Sequence, residues 1–215
     1  MSGKTKKITL TSMFIALAYV AVAVGRIPIV LFLKYEPKDI IITLSGLIMG
    51  PLTALTVSAA TSLLEMFTIS DTGIIGLLMN IISTCAFSCT AAVIYKRKRT
   101  LAGAVTGIVV GYVAMVATML LWNYIITPIY MKIPRKDVVS LILTAILPFN
   151  LLKGGLNSAF TFLLYKPVIE GLRKAGLIPK EDESGKRKTN IPLIVVSSAV
   201  IVTCVLVVLS IKGII

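Results

Sequence analysis

One lysine, Lys153, stands inside an apolar run, in the segment Pro148-Phe149-Asn150-Leu151-Leu152-Lys153-Gly154-Gly155. An ammonium at the centre of a bilayer costs about 2.5–3.5 kcal/mol even on the lenient insertion scale. Unless its long stem lets it snorkel to the surface, such a residue marks a functional site. Asn150, Lys153 and Asn157 are spaced i, i+3, i+7, so a helix gathers them into one polar stripe. Asn80, Thr84 and Ser88 form a second stripe, and Asn123 and Thr127 a third, beside Trp122 and Tyr124. Taken singly, each asparagine is explained at least as well by hydrogen bonding between helices. Taken with Lys153 and the aromatic residues, the stripes describe a pocket, open to the outer side, for a planar polar molecule. Aromatic faces would stack it, while amides and the ammonium held its carbonyl and nitrogen edges.

These side chains need membrane-spanning helices to hold them. The chain has 215 residues, of which 57% are apolar and 14% charged, and its mean hydropathy is +0.96. A soluble domain carries about a quarter charged residues. Apolar segments long enough for a slab about 30 Å thick recur along the chain. The first runs from Ile8 to Val24, and a second, Ile40–Met49, is too short to span alone before Gly50-Pro51 breaks it. Others cover Leu52–Ile69, Ile74–Tyr95, Leu101–Met131 and Val138–Leu164. A last run, Pro192–Ile211, has no charge and reads as a lipid-facing anchor. The loop from Arg26 to Lys38 is apolar in its first part, and such a loop is expected to dip back into the protein. Asp39, after Pro37, is expected to cap the next helix. Glu65, Asp71 and Gly73 mark an exit to the outer side. A charged stretch, Lys166 to Asn190, reads as a solvated linker. The expected organisation is an all-α integral membrane protein: a six-helix module over 1–173, a linker over 174–190 and a further helix over 191–215.

Charge placement sets an orientation and excludes other classes. The net charge is +13, but the basic residues sit in short runs between apolar segments, which is membrane topology rather than a nucleic-acid surface. With the amino terminus in the cytoplasm, fourteen basic residues fall inside and seven outside, and the last run leaves the carboxyl terminus outside. The first apolar run ends in Gly25-Arg26 without a small-x-small site, so it is expected to persist as a span. There is no histidine, and Cys85, Cys89 and Cys204 lie within apolar runs, where small packing residues are the simpler reading than zinc ligands. No G-x-x-x-x-G-K-[ST] loop and no nucleophile–base pair is present, so no enzymatic activity is expected and any energy must come from a partner. Ser12 and Ala16 make a small-xxx-small pair on the first helix, a surface that another helix can approach.

The pattern resembles the S component, the substrate-binding subunit, of an energy-coupling factor (ECF) vitamin transporter. The resemblance is carried by the six segments, the loop Leu33-Lys34-Tyr35-Glu36-Pro37-Lys38-Asp39 and the break at Gly50-Pro51. Gly76-Leu77-Leu78-Met79-Asn80, Trp122-Asn123-Tyr124 and the segment around Lys153 are similar to the riboflavin-specific members. That resemblance implies riboflavin as the transported ligand, with no cofactor. It implies contacts from Asn123 and Lys153, a lid containing Tyr35, and weaker roles for Asn80 and Asn150. It also implies a prokaryotic cell membrane and three partners, a transmembrane coupling subunit and two ATPase subunits. Ser12 and Ala16 stand where the family has an Ala-x-x-x-Ala contact, so the first alanine is replaced. The last apolar run departs from the six-helix pattern. The competing readings are an S component for another vitamin, such as pantothenate or biotin, and a membrane scaffold without a small ligand.

Overall fold

The computed structural model describes residues 3–31, 33–177 and 191–211. It is a helical bundle with one small β-hairpin. In chain order the elements are α1 (Gly3–Gly25), β1 (Ile27–Val30), β2 (Leu33–Tyr35), α2 (Lys38–Met49) and α3 (Pro51–Thr68). Then follow α4 (Gly73–Arg97), α5 (Leu101–Met131), α6 (Arg135–Leu141), a π-helical turn (Ile142–Ile146), α7 (Leu147–Lys174) and α8 (Ile191–Ile211). Among the described residues, five helical stretches are long and apolar enough to cross a membrane: α1, α4, α5, the continuous run Arg135–Lys174, and Ile191–Ser210.

The short α2 is the centre of the bundle. It rises only about 18 Å, too little to span, but it has no lipid to face. Nine of its residues, from Lys38 to Leu47, are buried, and it touches α1, α3, α4 and α7. A helix enclosed on every side can carry polar groups wherever a neighbour answers them. Gly50 ends it at φ 102°, a conformation that L side chains rarely adopt. Pro51 opens α3, where its missing N–H costs nothing. The chain therefore reverses, and Lys38 at the start of α2 meets Glu65 near the end of α3.

Close packing sets the α4–α5 pair. Gly103, Gly107 and Gly111 recur every four residues along α5; Gly107 and Gly111 turn to α4, and Gly103 to the Lys98 backbone just beyond its end. A Cβ on Gly107 would lie 2.7 Å from the Ala91 carbonyl oxygen, and one on Gly111 2.5 Å from that of Phe87. Small residues thus let the two backbones meet without a layer of side chains. Phe87, Ala91, Ile108 and Met115 fill the space beside this seam.

The run Arg135–Lys174 contains Pro148, which has no N–H for the preceding turn. The chain widens just before it, and the Leu147 amide bonds to the carbonyl of Ile142, five residues back. Two boundaries differ from the sequence reading. The π-turn and α7 carry one helix on past Leu164 to Lys174, so Lys166–Arg173 is helical rather than solvated linker. Most of the expected linker, residues 178–190, lies outside the described residues. The apolar first loop does fold back, but as an antiparallel hairpin pairing Ile27 with Tyr35 and Pro28 with Lys34.

The α4–α5 seam gives a direct test. Gly111→Ala is expected to lower stability by about 1–3 kcal/mol through overpacking. Gly171→Ala, whose Cβ meets nothing within 4 Å, is expected to be neutral or slightly stabilising. Thermal melting in detergent reads both; equal melting temperatures would show that the glycine seam does not set the packing.

Candidate functional site

The hairpin and the first turn of α2 bring charged side chains into the bundle, and each finds a partner there. Arg26 places one guanidinium nitrogen 3.0 Å from Glu36 and 3.1 Å from Glu65. Its other terminal nitrogen donates to the Ile69 carbonyl at 2.7 Å. Lys38, fully buried, lies 2.7 Å from Glu36 and also bonds Glu65. The Asn80 amide donates to both oxygens of Glu65 at 3.2 Å.

A second pair adjoins this knot. Lys153 Nζ sits 2.9 Å from Asp39 Oδ2, while Thr84 donates to Asp39 Oδ1 at 2.7 Å and Asn157 to Oδ2 at 3.4 Å. Asp39 is 1% exposed and Lys153 5%, so Lys153 does not snorkel. The expected capping role of Asp39 is corrected. Pro37 is the N-cap and no side-chain cap bond forms, because the carboxylate turns inward to Lys153. Glu65 is likewise no exit marker; it is buried among cations.

Above the network lies a cavity of about 260 Å³. Its polar wall holds Asn80, Ser83, Asn150 and Lys153, and its apolar wall Leu33, Met79, Met119 and Phe149. Arg26 and Glu36 lie at its charged side. Asn150 is braced by its own amide, which donates to the Ile146 carbonyl of the π-turn at 2.8 Å. Ser83 Oγ is buried without a hydrogen-bond partner. The mouth is bordered by Leu31 and Lys34 of the hairpin and by Asp71 and Thr72 of the α3–α4 loop. Leu31 takes φ 52° at the hairpin tip, a strained value for a leucine. Lys34 bonds Asp71 across the mouth, and that contact holds the Asp71 carboxyl below its ordinary range. Burial pushes the Glu36 carboxyl up, but Lys38 and Lys153 outweigh it, leaving Glu36 at about 2.

Three of the five ligand residues expected from sequence, Asn80, Asn150 and Lys153, thus converge on one cavity. Asn123 does not line it. It faces a narrow adjoining cleft with Trp122 and Thr127, its amide donating to Met119 and its carbonyl accepting from Thr127. Met79, Thr72 and Tyr130 border both spaces. Tyr35 is buried under the hairpin, packed with Leu152 and Leu156 of α7 and with α8. Ser12 and Ala16 are exposed on α1. Sequence reasoning missed Arg26, Lys38, Glu65 and Ser83. One signal was present: Ser58, Thr61, Ser62 and Glu65 fall at i, i+3, i+4, i+7, a fourth polar stripe, and all four are buried.

A bundle of apolar helices around a hairpin-covered polar cavity defines a membrane protein that binds a solute. The chain belongs to the ECF transporter substrate-specific components, whose family pattern matches residues 6–165. It is therefore a transport component of a membrane system. The riboflavin transporter RibU of Staphylococcus aureus (strain TCH60) is 27% identical over 181 residues, covering 80% of this chain and 94% of that protein. The riboflavin transporter FmnP of Bacillus subtilis (strain 168) is 28% identical over 188 residues, covering 80% and 98%. A solved S component of a bacterial ECF transporter superposes with a TM-score of 0.68 at 26% identity, covering 79% of this chain and 99% of that one.

Breaking the buried network is expected to be costly. Lys38→Met leaves Glu65 and Glu36 short of a cation and should lower stability by about 3–5 kcal/mol. Adding Glu65→Gln to the same chain removes the excess negative charge and should recover part of the loss. Chemical unfolding in detergent measures both, and a single variant as stable as the parent would show that the network is not holding the bundle.

Proposed function

We propose that the cavity beneath the hairpin binds riboflavin from the outer side, and that the chain is the riboflavin-binding subunit of an ECF importer. The observation that carries this reading is the convergence of Asn80, Asn150 and Lys153 with Met79, Met119 and Phe149 around one cavity. A flavin has one polar edge and two flat apolar faces, and the two walls match that division. The relatives named as riboflavin transporters support the same ligand. Asn123 joins the site if the ring reaches the adjoining cleft, and Tyr35 supports the lid from below. Riboflavin is cargo here, and no resident cofactor is invoked.

The fold supports a transport cycle of capture at one end and release at the other. The hairpin and the α3–α4 loop close over the ligand at one end of the bundle. At the other end Lys6 reaches the Gly176 carbonyl at 3.3 Å, and the runs Lys4–Lys7 and Lys96–Arg99 lie there too. The basic end is read as cytoplasmic, in a prokaryotic cell membrane, with α8 crossing outward. Residues 1–173 form the binding module, 174–190 a linker and 191–215 the added helix. Ser12 and Ala16, exposed on α1, offer the surface for a transmembrane coupling subunit, and two ATPase subunits supply the energy.

Purified protein should carry yellow flavin or quench riboflavin fluorescence on titration. A vitamin panel including pantothenate and biotin separates the substrates, and absence of riboflavin binding at micromolar concentration overturns the assignment. Asn150→Ala and Lys153→Ala should each weaken binding by about 1–3 kcal/mol; unchanged affinity in a folded variant removes that residue from the site.

A further inference from the structure

We infer that α8 is a clamp in cis on the hairpin, slowing its opening and with it the exit of ligand from the cavity. The inference rests on the riboflavin reading for the ligand whose exit is followed, and goes beyond it to a helix outside the family-matched segment. Helix α8 packs along α7 and does so with one face. Ser197, Val200, Ile201, Cys204 and Val208 fall at i, i+3, i+4, i+7 and i+11 and are buried or half-buried. Val202 and Val205, on the other side, are 58% and 46% exposed. Gly155 of α7 admits the close approach: a Cβ there would lie 3.5 Å from Cys204 Sγ and 3.8 Å from Val200 Cγ1.

The inward face of α8 serves more than α7. Ile201, Cys204 and Val208 share one apolar cluster with Leu152 and Leu156 of α7 and with Tyr35 and Ile29 of the hairpin. The Tyr35 hydroxyl is buried without a hydrogen-bond partner, so packing of the ring, not a polar bond, holds the strand at this point. Apolar groups gain little by leaving lipid for protein, and what a packed helix adds in a membrane is close, fixed contact. Lipid chains in the place of α8 would rearrange as Tyr35 moved. A helix docked along α7 does not, so opening the hairpin against it breaks many small dispersion contacts together. Leu33 and the Lys34–Asp71 pair hold the hairpin elsewhere, and α8 adds to them at Tyr35 and Ile29. No described residue of α8 lines the cavity. Its effect therefore falls on the opening of the hairpin and not on the groups that contact the ligand.

The experiment uses the full-length protein in lipid nanodiscs. Deuterium exchange of the hairpin amides is followed without ligand, and riboflavin dissociation by recovery of flavin fluorescence after dilution. In the double variant Ile201→Ala, Val208→Ala both should quicken by about three- to tenfold, the scale of partly filled apolar contacts. Gly155→Leu, which pushes α8 away from α7 without altering α8 or the hairpin, should act in the same direction. Val202→Ala with Val205→Ala, on the outward face of the same helix, should leave both rates at the parent value. Hairpin exchange or riboflavin dissociation unchanged in the Ile201, Val208 variant overturns the inference. Equal quickening in the Val202, Val205 variant overturns it as well, since the effect would then be general loosening of α8. Failure of the parent to bind riboflavin overturns the riboflavin reading instead, and the ligand-free hairpin exchange then decides the clamp by itself.

Discussion

Arg26, Lys38 and Lys153 bring three positive charges into the interior of an apolar bundle, where Glu36, Glu65 and Asp39 meet them. Ions taken out of water lose several kcal/mol each, and their attraction repays this only with good geometry and further hydrogen bonds. Both conditions are met. Asn80 serves Glu65, and Thr84 and Asn157 serve Asp39. The partners come from the hairpin end, α2, α3, α4 and α7. No element can shift without unpairing a charge, so the network fixes how five parts of the chain sit around the cavity. Such a network adds specificity of arrangement more surely than net stability.

The rest of the architecture accommodates that requirement. The first turn of α2 has to lie inside the bundle, which is why α2 is short, enclosed and reversed sharply at Gly50-Pro51. The α4–α5 seam uses glycine so that Asn80, Ser83 and Thr84 can stay on the inner side of α4 while its other face meets α5 closely. At the end of the π-turn before Pro148 the Ile146 carbonyl accepts from the Asn150 side-chain amide. Local irregularities in three helices thus serve one set of polar contacts.

Much of this was legible in the chain because hydrocarbon is a demanding solvent. A lone lysine or an asparagine stripe in an apolar helix has to face something polar, so Lys153, Asn80 and Asn150 were placed correctly inside. The partners were not legible, because their pairing is long-range. Asp39 has the local signature of a helix start, and only the fold shows that Lys153, far along the chain, claims its carboxylate. Glu65 lies so near the end of its helix that position alone suggested an exit. The apolar loop pointed inward in sequence, but alternation over so few residues, with Pro28 among them, did not announce a hairpin. Asn123 and Tyr35 face other neighbours in this structure, Asn123 within its own helix and Tyr35 toward α7 and α8.

The added helix bears on the same lid. The family match ends at residue 165, and α8 begins beyond it. Yet α8 does not stand apart as a simple anchor. A Cβ on Gly155 of α7 would lie 3.5 Å from Cys204 Sγ, and Ile201, Cys204 and Val208 pack into the cluster that buries Tyr35, Leu152 and Leu156. Tyr35 belongs to the hairpin strand that ends beside Glu36, one residue from the charge network. Apolar contact from α8 therefore reaches the hairpin through the cluster that holds Tyr35 and Ile29. Tyr35 in that cluster, Leu33 and Lys34 all tie the hairpin to the bundle, by two kinds of contact: an exposed ion pair from Lys34 to Asp71, and buried apolar packing of Tyr35 against α7 and α8 and of Leu33 against Ile146 and Phe149. The first is weakened by salt and water. The second is apolar and insensitive to salt.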